Sequence, residues 1–540
     1  MSASRRTSRA GRLSVLLAAT CSLFPVTLIA QGPPPPILPG VAPGPYAVGY
    51  TVRQEYDHSR TFKQKLDYFG ERTPGEIARP IQITIWYPAA PGSGGAPMRL
   101  SDYYDVIATE TDFRARSPEE LRDLREEREQ ILMIEWRVAP DSMRAVRPRL
   151  DSLLALPTSA VRDAPPAAGR FPLILHLPGY NGSSGHNPLF EYLASHGFVV
   201  ASVPNMGMYS RSIDDEPRSL DVQARDLEFA YAVMRTLPYV DADKVGTTGM
   251  SWGGLSNVLF ASRNAYVGAV VTLDGAITMP VELEHVERVP GYSHQSFRTP
   301  YLQLLVSPEE ARFRPKDLRF WDALRYADAT MVQFNGVGHD DFALEYPRLR
   351  NAVEADPARA AYLETFARAQ LEYVLRFFQA ALNQDEAAGA SLAGLSKELG
   401  LPDSMVARFE TKRALKAPPS AEEFRDIVRT RGAKVAAEVY RAATEVQPDN
   451  ELITSPVMGP LYMEAFNAGR FDEALAICEL WRVGMPDAPG PLFSMGRTYR
   501  AMGNNEKAID TYERILAMVP EGPQAENARR ALAELRGGGA

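Results

Sequence analysis

The 540-residue chain is long enough to bury a large core and to divide into at least two domains, and its composition is that of a soluble globular protein. A net charge of -8, with 59 basic residues set against 67 acidic ones and no basic stripe, argues against a nucleic-acid partner. Two cysteines, Cys21 and Cys478, exclude a disulfide framework, so stability must come from packing.

Residues 1–30 place Arg5, Arg6, Arg9 and Arg12 ahead of an apolar run from Leu13 to Ala30, the pattern of a secretory signal peptide. Leu28, large for its place before a cut after Ala30, and Pro25 within the run keep an uncleaved membrane anchor as the alternative. Either way the remainder is expected to be exported, periplasmic or secreted, with membrane contact left open. Cys21 follows Ala18-Ala19-Thr20, a poor lipoprotein signature, so the mature chain retains Cys478 alone. Residues 31–44 form a proline-rich spacer.

From 45 to 383, short β-branched runs alternate with amphipathic helices, predicting an α/β domain with a mostly parallel sheet and helices on both faces. The predicted strands are Ile81–Tyr87, Leu173–Leu177, Val199–Val203, Val245–Thr248, Ala269–Leu273, Leu302–Val306 and Met331–Phe334. Several are near-continuous apolar runs, which suits strands buried on both faces. Between the first two lies a charged insertion, 98–170, where Ser117-Pro-Glu-Glu reads as a capped helix start. It is either a cap over a site or a surface helical pair. The helix Asp221–Leu237 follows, with Leu227, Ala230, Tyr231 and Met234 on one buried face.

After a linker, 384–416, the region 417–536 shows an internal period: Pro486 and Pro520, Ala474 and Ala508, and Gly469 and Gly503 are each 34 residues apart. Gly496, Tyr499, Ala508, Tyr512 and Pro520 give it a pattern similar to the tetratricopeptide repeat, with a degenerate copy ending at Pro448. Such repeats offer a surface for a protein partner or for self-association.

Between the strand Val245–Thr248 and a following helix stands Gly249-Met-Ser-Trp-Gly253, a G-x-S-x-G sequence. The motif alone is weak. Its setting is that of a nucleophile elbow, where a serine on a strained turn needs small neighbours, here Gly249, Gly253 and Gly254. A serine hydroxyl needs a base that is itself oriented by an acid. Of the seven histidines, the order nucleophile, acid, base leaves His285, His294 and His339. His339, in Gly336-Val-Gly-His-Asp-Asp after the last apolar strand, is the candidate base, while His285 and His294 are expected to be solvated. For the acid, Asp274 follows Ala269–Leu273 directly, whereas Glu309 and Glu310 follow the next strand, so spacing leaves the choice open. The oxyanion donors are expected to be the backbone N–H groups of Trp252 and of Tyr180, in Leu177-Pro-Gly-Tyr.

Taken together, Gly44-Pro-Tyr-Ala-Val-Gly, Ile85-Trp-Tyr-Pro-Ala, Phe171-Pro-Leu-Ile-Leu-His-Leu-Pro-Gly, Leu193-Ala-Ser-His-Gly-Phe-Val-Val, Gly249-Met-Ser-Trp-Gly-Gly, Leu273-Asp-Gly and the His339 loop resemble the platelet-activating-factor acetylhydrolase family of α/β-hydrolases. The resemblance spans roughly 44–380 and implies an α/β-hydrolase fold. It also implies Asp274 as the acid, because that family takes its acid from the strand after the elbow. The activity it implies is a metal-independent serine esterase needing no cofactor and acting on short-acyl esters, including short sn-2 chains of phospholipids, hence lipid degradation. Leu-Pro-Gly-Tyr departs from that family's usual His-Gly at the oxyanion loop. Dienelactone hydrolases share much of the fold but usually carry a cysteine nucleophile where this chain has Ser251. The alternatives are a serine peptidase of related fold and a partner-binding adaptor with a relict hydrolase domain.

Overall fold

The computed structural model describes residues 40–537 apart from 67–71, 74, 93–94, 136–139, 181, 183–185, 215, 310, 312–314 and 345–355. The signal-like segment 1–30 and residues 31–39 of the spacer lie outside the described residues. Among the described residues no helix is long and apolar enough to cross a membrane.

One sheet organises the first domain. In chain order its strands are β1 (Ala47–Phe62), β2 (Ile77–Ala89), β3 (Pro97–Arg99), β4 (Pro157–Arg162), β5 (Phe171–Leu177), β6 (Val199–Ser202), β7 (Val240–Met250), β8 (Val267–Leu273), β9 (Tyr301–Val306), β10 (Ala329–Phe334) and β11 (Val406–Lys412). Their spatial order is β11-β10-β9-β8-β7-β5-β6-β2-β1-β4-β3. From β6 to β10 every neighbouring pair is parallel, while β2 against β6, β1 against β2 and β11 against β10 are antiparallel. The sequence explains this core: β5, β6, β9 and β10 are buried at every position, as strands covered on both faces must be.

Alternate side chains feed two cores. Ile174, Val271, Leu302 and Val332 pack with the helices Asn187–Ser195 and Pro357–Asn383 on one face. Leu173, Leu175, Val270 and Met331 pack with Pro217–Met234 and Trp252–Arg263 on the other.

The insertion 98–170 folds as helices Leu100–Ile107, Pro118–Glu135 and Pro140–Leu154 followed by β4, which adds in parallel to β1. Ser117 and Glu120 form the expected capping box: each accepts the other's backbone N–H, at 3.2 and 2.7 Å. The insertion is tied to the domain by Tyr103, whose hydroxyl donates to buried Glu191 at 2.8 Å, and by the Arg211–Glu110 ion pair.

The segment 384–416, expected to be a linker, instead supplies β11, which extends the sheet at its far edge. As an edge strand it is only partly covered, and Arg408, Glu410 and Lys412 mask its alternation in the sequence.

Beyond it the helices beginning at Ala421, Ser455, Pro489 and Pro523 start 34 residues apart, and those beginning at Phe471 and Asn505 keep the same interval. The first is broken at Gly432, whose φ of 83° is non-helical. Gly496 lies against the Tyr512 ring, where a Cβ would come within 2.8 Å, so the helices Pro489–Ala501 and Asn505–Met518 approach closely there. These helices have their own apolar core, and the chain at the two ends of the first of them touches the first domain: Tyr326 donates to Gln447 at 3.2 Å, and Arg298 donates to the Pro418 carbonyl at 2.9 Å.

Candidate active site

Ser251 directly follows β7 and caps the helix Trp252–Arg263, with φ 52° and ψ -124°. A side chain with positive φ here is strained, and the surroundings must hold it. They do so through the backbone: Ser251 N–H donates to the Leu273 carbonyl at 3.2 Å, and its own carbonyl accepts from Ala276 at 2.7 Å and Gly254 at 3.0 Å. The flanking glycines are sterically required. A Cβ on Gly253 would sit 2.1 Å from the Leu177 carbonyl oxygen, and one on Gly249 would sit 2.6 Å from the Gly253 backbone.

Asp274 stands at the end of the adjacent strand β8, also at positive φ, 42°. Its Oδ2 lies 2.6 Å from His339 Nδ1. Its Oδ1 accepts the Val306 N–H at 3.2 Å and lies 2.8 Å from Lys316 Nζ. Burial by itself would push this carboxyl up, but the His339 hydrogen bond and the Lys316 charge outweigh it and hold the group at about 2. Asp274 is therefore ionised at neutral pH and can only accept. His339 Nδ1 must carry the proton, which leaves Nε2 as the ring's acceptor.

His339 opens a short turn, His339–Phe342, after β10. The loop before it is fixed to the helix Pro357–Asn383, where Tyr362 donates to the Asn335 carbonyl at 2.8 Å and Arg359 bonds the Gly336 carbonyl and pairs with Asp341 at 3.3 Å; within the loop, Asp341 accepts the Gly338 N–H at 2.8 Å. The structure thus brings Asp274 and His339 into contact. Glu309 is exposed, and Glu310 lies outside the described residues.

Trp252 is the first helical residue after Ser251, so its N–H has no acceptor within the helix. Tyr180 follows Gly179 in a turn closed by the Gly182 N–H on the Gly179 carbonyl at 2.9 Å. A Cβ on Gly179 would lie 3.5 Å from Ser251 Cβ, so this turn runs directly beside the serine.

Residues 164–295, which include Ser251 and Asp274, match the model of the Dienelactone hydrolase family. The chain carries a dienelactone-hydrolase-like α/β-hydrolase domain. Among solved structures it is similar to a ferulic acid esterase from Streptomyces cinnamoneus, at 20% identity and a TM-score of 0.43 over 64% of this chain and 93% of that one. No curated protein matches.

In the hydrolase domain a cavity of about 510 Å³ opens beside Ser251, within the range of small-molecule sites. Tyr180, Trp252, Ala276, Met279, Pro280, Val281 and Pro315 give it a largely apolar wall, and Glu282 adds a carboxylate. The described residues of 98–170 do not line it. A larger cavity, about 870 Å³, lies by Pro300, Ala329 and Thr330 at the opposite, amino-terminal ends of β9 and β10. In open parallel sheets chemistry sits at the carboxyl ends, which favours the smaller cavity.

The sequence reading missed supporting residues of the hydrolase domain. Asn205 donates through one amide nitrogen to the Pro178 and Gly179 carbonyls, at 2.9 and 3.1 Å, and so fixes the Tyr180 turn. Buried Arg79 pairs with Asp226 at 2.8 and 2.5 Å and donates to the Gly207 carbonyl at 2.6 Å, holding the loop that carries Asn205. That loop also accepts the Tyr180 hydroxyl, at the Ile213 carbonyl, 2.6 Å away. His285, expected to be solvated, is instead buried on the helix Pro280–Glu287 with its ring 6.1 Å from that of Trp252. The helix turns Leu283 and Val286 inward, and His285 goes with them. His294 is half-buried, with its ring nitrogens on Tyr292 and Glu287, both at 2.9 Å. Among the described residues no group of three or more His, Cys, Asp or Glu could hold a metal ion.

Proposed function

We propose that the chain is an exported serine esterase of the kind resembled by the platelet-activating-factor acetylhydrolases, acting on short-acyl or phospholipid-like esters. The observation that carries this reading is the strained Ser251 turn set beside an ionised Asp274 whose carboxylate fixes the tautomer of His339. Ser251 Oγ attacks the ester carbonyl carbon while His339 Nε2 takes its proton. The resulting oxyanion is met by the Tyr180 and Trp252 N–H groups, each worth about 3 kcal/mol in comparable sites. Collapse expels the alcohol, which leaves with the proton from Nε2. Water, deprotonated by the same nitrogen, then attacks the acyl-enzyme and releases the acid.

The apolar wall from Met279 to Val281 suits the hydrocarbon part of such a substrate. The arginine-led apolar segment 1–30 supports export, cleaved or anchored. The 34-residue spacing of the helices beyond Ala421 supports a tetratricopeptide-like module that binds a partner or a second copy of the chain.

A series of p-nitrophenyl esters from acetyl to dodecanoyl, run beside aminoacyl-nitroanilides, tests the reading. Turnover highest on short acyl chains supports it, and anilide cleavage without esterase activity contradicts it. Asn205→Ala, which frees both carbonyls of the Tyr180 turn, is expected to lower kcat about ten- to a hundredfold with little change in KM. Steady-state kinetics on the acetyl ester checks this, and an unchanged kcat would remove the turn from the oxyanion site.

A further inference from the structure

The carboxylate of Asp274 serves two partners, the His339 ring and the Lys316 ammonium, where the triad needs only the first. Lys316 reaches it from the segment after β9, with Nζ 2.8 Å from Oδ1 and a side chain only 5% exposed. A lysine seldom goes inside without a partner, and taking its ammonium out of water costs several kcal/mol. Its neighbour Asp317 donates its backbone N–H to the Thr278 carbonyl at 2.7 Å and pairs its own carboxylate with Arg319 at 2.8 Å. Lys316 is thus anchored by backbone beside the acid, and its other carboxylate neighbour is already paired.

We propose that Lys316 is a positioning residue for the acid: it holds Asp274 Oδ1 so that Oδ2 faces His339, and it withholds part of the carboxylate's charge from the imidazolium. This inference rests on the triad reading above. In a low-dielectric site a neutralised carboxylate stabilises a protonated ring less than a bare one. Removing the Lys316 charge is therefore expected to make the enzyme need a higher pH for full activity.

The groups around the pair are few. Facing Asp274 are Lys316, His339 and the Val306 N–H of β9. On the His339 loop, Asp340 is exposed, while buried Asp341 is engaged with the Gly338 N–H and Arg359. Glu282 stands at the cavity wall beside Ser251. Among the described residues Lys316 is the one lysine or arginine in an ion pair with the acid.

The test is the kcat/KM–pH profile on p-nitrophenyl acetate, a substrate without ionisable groups in the range, for the full-length wild type, Lys316→Gln and Lys316→Arg. Glutamine keeps a donor and removes the charge, so its acid limb is expected to move up by about one pH unit. Arginine keeps the charge, and its limb is expected to stay with the wild type. A purely structural lysine would lower the plateau of both variants without moving either limb, and that result overturns the proposal. Lys316→Met repeats the test if Lys316→Gln does not fold. Failure of both neutral variants to fold would assign Lys316 to the stability of the domain and overturn the proposal as well. Ser251→Ala is run in parallel: turnover that does not depend on Ser251 defeats the triad reading itself, whereas Ser251-dependent turnover with an unmoved limb defeats only the role given to Lys316.

Discussion

Replacing Ser251 with alanine is expected to lower ester turnover by about 10⁴-fold or more while leaving the fold intact. The hydroxyl is the only group lost, and the contacts that hold the turn are made by the backbone. The Ser251 N–H reaches Leu273, and its carbonyl receives Ala276 and Gly254. Alanine at φ 52° carries the same Cβ strain as serine, so the thermal midpoint should stay within about 2 °C of the wild type. Substrate should still enter the cavity, so KM is expected to change far less than kcat. A loss of activity accompanied by a large fall in the midpoint would point to structural collapse instead.

Asp274→Asn has the second-largest expected effect, and it differs in kind because it should reduce rate and stability together. An amide in place of the carboxylate no longer fixes a proton on His339 Nδ1 or stabilises the imidazolium, which in comparable triads costs about 10⁴-fold in kcat. It also strips Lys316 of its counter-charge inside the protein. Breaking one side of a buried ion pair costs about 3–5 kcal/mol, so the thermal midpoint should fall by several degrees. The pH dependence of stability should change as well. The folded carboxyl is held at about 2, below its unfolded value of about 4, so its stabilising contribution is complete above pH 4 and lost as pH falls towards 2. The asparagine variant should lack that acid-induced loss. Kinetics and thermal melts between pH 2 and 7 check both arms, and a variant with wild-type stability would contradict the buried pairing with Lys316.

The central strands were readable because burial on both faces forces long apolar runs, and Phe171–Leu177 and Tyr301–Val306 could hardly be anything else. The edges were not. β1 is a 16-residue strand whose second half, Glu55-Tyr-Asp-His-Ser-Arg, is largely polar and partly exposed, so its pairing with β2 left no clean alternation. β4 and β11 are held by their neighbours on the sheet more than by apolar content of their own. At the site, the glycines around Ser251 were legible because each marks a place where a Cβ would strike backbone. Lys316 and Asn205 were not, because their roles depend on contacts 42 and 27 residues away that no local pattern encodes. His285 was misread for a related reason: a polar residue on a short helix follows its helix's buried face whatever its own preference.

The most direct test of the account is the site of covalent capture. The wild-type protein is treated with a fluorophosphonate, digested, and the adduct located by mass spectrometry. The account predicts a single phosphonylated residue, Ser251, whose labelling is lost in Ser251→Ala and strongly slowed in Asp274→Asn. An unlabelled wild type, or an alanine variant labelled to the same extent, would contradict it.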